Sequence, residues 1–396
     1  MLSKSAVVNV ASMLIGLGVG LALARFAHAS PGTVVLATMV GMSLGRTQQP
    51  AAWTDRAAGL VVVPLVAAGA SALGGLLAGR WAVVGCAVFV LALSATVWVR
   101  RFGPRASKLG TLAILPLLSL LFAPTGSPLW SGVAAAVVFL LVSAMQLAVG
   151  SDTPVARARS SAATSTKMAV QLAAALTAAF VVGRLVWPTH WQWVVLTAFI
   201  VCVGNRGRGD VLHKSVLRVL GAAAGTLAAT GLFALFTPSG AGAVAAILVV
   251  LVAGIVLRPL SYAYWAACVT AAMALLLGLF GEDAAPLLFT RLEAIVVGGV
   301  LGVAASWLIL PIRSRDVARR RIGDARRAIE RLRSGEDAHE AVQQAIKQLD
   351  LIAPAFNAHR RLHRLLPGSR RDKRFLADVF DEIRAELSRV DRAGSR

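Results

Sequence analysis

The sequence predicts an all-α polytopic membrane protein: two six-helix repeats, twelve spans in all, followed by a helical cytoplasmic tail. Three observations predict it. Of the 396 residues, 57% are hydrophobic and only 15% charged, whereas soluble domains average about 25% charged. Apolar runs near the ~20 residues that cross a bilayer recur through the first 311 positions. The chain also repeats itself. ARFAHASPGTVVLATMVGMSLGR (24–46) lines up with GRLVWPTHWQWVVLTAFIVCVGNR (183–206). Leu36 and Leu196 stand 160 positions apart, as do Arg46 and Arg206, and Arg25 and Arg184 stand 159 apart.

The first half, 1–149, begins with the run Ala6–Ala24 after Lys4. With Ala27-His28-Ala29 behind it, this run has the form of a cleavable signal. Its 19 residues exceed a usual signal core, and it has a counterpart in the second half, so it is expected to remain as the first span. Gly32–Gly45, Ala57–Ala78, Trp81–Val99, Leu109–Ala123 and Leu129–Val149 complete the half. The linker 150–167 is rich in Ser and Thr and carries Arg157, Arg159 and Lys167. The second half, 168–311, offers Met168–Val186, Trp191–Val203, Val216–Phe236, Gly242–Leu257, Tyr262–Phe280 and Leu292–Leu310. Helices are the expected form, because a spanning segment must satisfy its own backbone and these runs lack strand alternation. Their many Gly and Ala residues let helix backbones approach closely in lipid.

The tail, 312–396, holds 21 of the 40 Lys and Arg residues and 13 of the 19 Asp and Glu residues, a net charge of +8. Ile322, Ala325, Ile329 and Leu332 follow helical spacing, as do Val342, Ile346, Leu349 and Ile352, and again Leu376, Val379, Ile383 and Leu387, so three or four amphipathic helices are expected. The cluster Arg313–Arg321 reads as a topology anchor against anionic lipid. No nucleic-acid-binding module is recognisable. His359 and His363 sit four apart among arginines, whose charges oppose a metal. The three cysteines fit no zinc spacing.

Basic residues set the orientation. With the N-terminus inside, the inner segments hold fifteen Lys and Arg and the outer ends four: Arg25, Arg80, Arg184 and Arg291. Both termini are therefore expected in the cytoplasm, with the protein multi-pass in the plasma (cytoplasmic) membrane. Six spans per half gives both repeats one orientation, related by an axis along the membrane normal.

No nucleophile–base set, phosphate loop or metal cluster appears, so neither enzyme activity nor a cofactor is expected. The informative features are the second helices of each half, at 14 and 13 residues. They reach only ~20 Å against a hydrocarbon core of ~30 Å. Short segments at matching places in two repeats point to a transporter's binding site. A helix N-terminus favours an anion, and Arg25 and Arg184 lie just upstream of these two. The expected substrate-binding residues are Arg25, Arg184, Trp191, Arg258, Tyr262 and Arg291. Trp187, Trp191 and Trp193 read equally as an interfacial belt, and the two arginines as interface anchors. Glu293 is a candidate proton carrier. Thr290-Arg291-Leu292-Glu293 also has the form of a capping box, which would place Glu293 in the first turn of the last span. Thr189-His190-Trp191-Gln192 has the same form at the short helix. Asp55 and Arg56 read as a local charge pair.

VLHKSVLRVLGAAAGTLAA (211–229), YAYWAACVTAAMALL (262–276) and TRLEAIVVGGVLGVAASWLILP (290–311) resemble the fusaric acid resistance type of integral membrane transporter. The resemblance is best over 168–311. It implies paired six-helix halves, export of aromatic or other organic acids, and a distant likeness to plant aluminium-activated anion channels. Several relatives carry a large soluble domain between the halves, which this chain lacks. The leading expectation is an exporter of small organic anions working by alternating access. An anion channel and a non-transporting membrane anchor that presents the basic tail are the alternatives, and an oligomer is compatible with any of them. Major facilitator proteins share the 6+6 plan, but DRAAG (55–59) lacks their loop motif's Gly–Asp spacing and second basic pair.

Overall fold

The computed structural model describes residues 4–47, 53–122, 126–150, 162–204, 207–235, 240–258, 260–279, 284–312, 314–334 and 339–364, with six further positions between 379 and 386. Among the described residues the chain is helical, without strands. The first half gives α1 (Lys4–Phe26), α2 (Pro31–Arg46), α3 (Trp53–Ala78), α4 (Ala82–Trp98), a 3-10 turn (Val99–Phe102), α5 (Pro104–Ser119) and α6 (Pro128–Val149). The second gives α7 (Ala162–Val186), α8 (Trp191–Cys202), α9 (Arg208–Leu235), α10 (Gly240–Leu257), α11 (Tyr262–Leu279) and α12 (Ala284–Leu308). The tail gives α13 (Ser314–Arg333) and α14 (His339–Arg364). Prolines start α2, α5 and α6, where a missing N–H costs nothing and φ is already helical.

Among the described residues, six helices are long and apolar enough to cross a membrane: α1, α3, α4, α6, α7 and α12. The chain is a multi-pass membrane protein. Contacts divide it into two units, Met1–Val203 with Ser215–Ala305, and Gly204–Lys214 with Ser306–Arg396.

In the first unit, α1 lies along α2 at near-backbone distance. A Cβ on Gly41 would collide with the Ser12 carbonyl, and one on Gly16 with that of Ala37. α2 also meets α5 and α6. Its last turn leaves carbonyls without helical partners, and buried Gln146 of α6 donates to one of them, Leu44 O, at 3.0 Å. One apolar core runs through both halves, from Leu73 and Leu77 of α3 and Phe89 and Leu93 of α4 to Leu172 and Leu176 of α7 and Phe199 of α8, and a separate one joins α2, α3 and α6. Phe89 meets Phe180 edge-on at 5.7 Å where α4 packs on α7.

In the second unit, Ala318, Ile322, Ala325 and Ile329 of α13 pack on Val342, Leu349 and Ile352 of α14, and Ile383 joins them. All but Ala318 are positions the helical spacing selects; Leu376 and Leu387 of the third stripe lie outside the described residues. The backbone N–H of Arg208 donates to Ile312 O at 3.1 Å, and its guanidinium donates to Trp307 O at 3.0 Å. The α8–α9 turn and the start of the tail thus belong together.

Several helix ends differ from expectation. α12 begins at Ala284, eight residues before Leu292. Thr290 and Glu293 therefore lie inside the helix and form no capping box. At α8 the N-cap position is His190, without a side-chain cap bond, and Thr189 instead meets His190 Nδ1 through its hydroxyl at 2.8 Å. α9 begins at Arg208, so the charged stretch before Val216 is helix rather than loop. Asp55, read with its neighbour Arg56 in the sequence, also pairs with Arg105, 3.1 Å away across α3 and α5.

Candidate functional site

The short helix α8 is the hub of the second half. Val194, Val195, Leu196, Thr197, Ala198 and Phe199 are all buried, and a helix apolar all round belongs in an interior. α7 packs on its start at Trp191. α12 approaches so closely that a Cβ on Gly298 would stand 2.6 Å from Val194 O. Only glycine allows that approach.

Two arginines converge on α8. Arg218 of α9 is 6% exposed. Its Nε donates to the Thr197 hydroxyl at 3.2 Å and its Nη1 to the Tyr262 hydroxyl at 3.1 Å. Arg291 of α12 is 5% exposed, and its Cζ stands 5.8 Å from the Trp193 ring centre. Its Nε is buried without a hydrogen-bond partner. Trp193 and Thr197 are four apart, so they share a face one turn, about 6 Å, from each other. The two guanidinium groups accordingly lie within electrostatic reach of one another. Arg291 is seven residues inside α12, about 10 Å from its start at 1.5 Å per residue.

Among the described residues nothing anionic answers them. The first 311 positions hold 19 basic residues and six acidic ones. Of the acids with described side chains there, Asp55 is held by Arg105 and Asp210 by Lys214 at 2.8 Å. Glu293 is exposed and shares its face of α12 with exposed Phe289, Val296 and Val300, away from Arg291. Burying a charge costs several kcal/mol unless it is paired. Two like charges held together by neutral partners form a ready site for an anion, and Arg presents the donor fork that matches a carboxylate. Trp193 beside Arg291 supplies an aromatic face.

The sequence-selected residues divide. Arg291 and Tyr262 belong to this cluster. Arg25 is exposed near the end of α1. Its sequence mate Arg184 is half-buried. It donates to Leu77 O at 3.1 Å, in the last turn of α3, and lies 4.8 Å from the Trp191 ring centre. A cation there answers the orphan carbonyls and the negative end of α3. Trp191 packs on Phe180 at 5.1 Å and joins the core. Arg258 is exposed, 5.8 Å from the Trp265 ring centre. Arg218 is not among the sequence-selected residues, because a cation beside an apolar run reads as one of the fifteen inner-segment charges. The signal that finds it is the buried stripe Ser215, Arg218, Ala222, Thr226 and Ala229, which follows helical spacing. Among the described residues no three His, Cys, Asp or Glu side chains gather as a metal site.

No curated protein and no solved structure matches the chain significantly. Residues 172–305, about a third of its length, match the model of one family. That segment runs from α7 to α12 and contains every residue of the arginine cluster. The family is the fusaric acid resistance protein-like one, to which this segment is similar.

Proposed function

We propose that the protein is an integral membrane transporter that exports organic anions, aromatic carboxylates foremost, and that Arg218 and Arg291 hold the carboxylate. The observation that carries this reading is the pair of buried guanidinium groups without a carboxylate among the described residues. An anion between them would relieve their mutual repulsion and take up the open donor of Arg291. Thr197 and Tyr262 keep Arg218 in place while the site is empty, and Trp193 stacks on the substrate's ring. The family likeness supports an efflux role.

The two six-helix halves act as parallel repeats that rock against each other, with the short helices α2 and α8 at equivalent places. Corresponding pairs pack in each half: α1 with α2 and α7 with α8, α2 with α6 and α8 with α12. Both termini lie in the cytoplasm and the protein resides in the inner membrane, as the charge bias favours. The exposed arginines Arg319 and Arg320 of α13 rest near anionic lipid.

Purified protein in liposomes, offered a panel of aromatic and aliphatic carboxylates, tests the reading. Saturable flux of a carboxylate, lost in Arg218→Gln and Arg291→Gln proteins of wild-type thermal stability, is the expected result. Non-saturating current would make the protein a channel, and absence of flux across the panel would make it an anchor.

A further inference from the structure

Arg208, the first residue of α9, is tied to two other elements at once. Its backbone N–H donates to Ile312 O at 3.1 Å, and its guanidinium donates to Trp307 O, in the last turn of α12, at 3.0 Å. Trp307 reciprocates. Its indole N–H donates to Arg208 O at 3.4 Å, and its ring centre lies 5.9 Å from Arg208 Cζ, within the reach of a cation–π contact. One residue on, the Gly209 N–H donates to the Ser314 hydroxyl at 3.0 Å, at the start of α13. Gly207 permits this approach: its φ is 125°, and a Cβ there would stand 3.0 Å from Ser314 Oγ. The start of α9, the end of α12 and the start of the tail thus meet in one clasp.

Ordinary structural roles account for only part of this. A cation suits the orphan carbonyls at the end of α12. Arg208, however, stands at the N-terminus of its own helix, where the dipole opposes its charge. An interfacial tryptophan turns its N–H to water or headgroups, whereas Trp307 turns it to Arg208 O. The link from α12 to α13 is strained as well. Leu310 has φ 44° ahead of Pro311, a left-handed backbone that bulky residues, and residues before proline, rarely adopt. Such strain persists only where neighbouring contacts enforce it, and Ile312, held by Arg208, is two residues on. The two clasped helices also carry the anion site. Arg218 is ten residues, about 15 Å, along α9 from Arg208, and Arg291 is sixteen residues, about 24 Å, along α12 from Trp307. A tilt of about 4° at the clasp moves a group about 15 Å along the helix by about 1 Å. A binding constellation tolerates about 0.5 Å.

We propose that Arg208 is a positioning residue for the anion site: clasped to Trp307 and to the first residues of the tail, it fixes α9 against α12 and so holds Arg218 and Arg291 at the spacing that grips one carboxylate. The proposal rests on the transporter reading above. Ile312 and Ser314 hold the backbone of Arg208 and Gly209, so the tail keeps the clasp shut. Opening the clasp lets α9 turn about Gly204 and Gly207, whose φ values of 65° and 125° glycine adopts at no steric cost, and the two guanidinium groups part.

Equilibrium binding of labelled benzoate to the purified protein tests this, with thermal melting beside it. Arg208→Gln should weaken binding ~3–10-fold, and Trp307→Phe and Ser314→Ala ~2–4-fold each. Arg208→Lys keeps the charge but lacks the fork, so it should stay weakened. Full recovery with lysine would make Arg208 a source of positive potential alone and overturn the clasp. The loss relative to wild type should persist at high salt, where screening confines such fields to about 3 Å. In the Arg218→Gln protein the further change Arg208→Gln should cost little affinity, because both act on one geometry; an undiminished loss there would also overturn the clasp. Lower melting temperatures with wild-type affinity in Arg208→Gln and Trp307→Phe, while Arg218→Gln and Arg291→Gln bind weakly, would reduce Arg208 to a helix cap and leave the anion site standing. Absence of saturable benzoate binding to wild type, or wild-type affinity in Arg218→Gln and Arg291→Gln, would remove the anion site and the clasp proposal with it. Should Arg208→Gln fail to fold, Arg208→Lys and Trp307→Phe decide the matter.

Discussion

A cation in a membrane protein has two quite different uses, and Arg184, in the last turn of α7, and Arg291, inside α12, show one each. Arg184 meets a backbone carbonyl of α3 and the Trp191 ring, so its charge is answered by protein. Arg184→Gln should lower thermal stability by about 1–2 kcal/mol, the sum of a helix-end charge and a cation–π contact. Substrate KM should stay at wild type, as measured by melting in detergent beside flux in liposomes. Among the described residues Arg291 meets the Trp193 ring but no carbonyl, and Arg218 repels it, so its loss should act on anion binding. Glu293 belongs to the same scale. It lies within α12 on an exposed face with Phe289, Val296 and Val300, and a carboxylate at membrane depth is costly. Glu293→Gln should leave anion affinity and its pH dependence unchanged and should not lower stability. Loss of pH-driven accumulation in that protein would instead return Glu293 to the role of proton carrier. The Thr290–Glu293 box misled because a four-residue pattern says nothing about what precedes it. Arg218 was hidden because positive charge beside an apolar run reads as loop.

At the scale of helices, each of the twelve apolar runs falls on one of α1 to α12, six of which are long and apolar enough to cross a membrane among the described residues, and the short second helix of each half is present at 16 and 12 residues. Their ends were less legible. α12 starts early because Pro286 falls in its first turn, where proline breaks no hydrogen bond, although a proline beside acidic residues reads as a stop. α9 starts early because RGDVLHK is charged yet helical, with Asp210 and Lys214 bridged four apart. The glycines that read as packing faces divide into those in contact and those in open space. Gly298→Val should push α12 from α8 against the Val194 carbonyl, costing about 1–3 kcal/mol as overpacking does and abolishing flux. Gly69→Ala in α3, where a Cβ meets nothing within 4 Å, should be tolerated. Thermal melts of both proteins, read beside flux, check the contrast.

At the scale of the whole molecule, the charge bias predicts Ser127, between α5 and α6, outside the cell and Ser334, at the end of α13, in the cytoplasm. Single cysteines at those positions, in protein lacking Cys86, Cys202 and Cys268, should react with an impermeant thiol reagent from opposite sides in intact cells and inverted vesicles. The plan of a basic, multi-pass helical protein was legible from composition and repeat. The anion site was not, because it depends on which of the 19 membrane-region cations lack an acid once the chain is folded, and sequence shows only that they outnumber the six acids. The most direct test of the account is therefore equilibrium binding of a labelled aromatic carboxylate to the purified protein. Wild type should bind saturably, and Arg218→Gln and Arg291→Gln should each weaken binding by about tenfold or more, as expected for a charge-assisted hydrogen bond worth ~1.5–3 kcal/mol. Arg25→Gln should bind as wild type does. Equal affinity in wild type and both buried-arginine proteins would contradict the account.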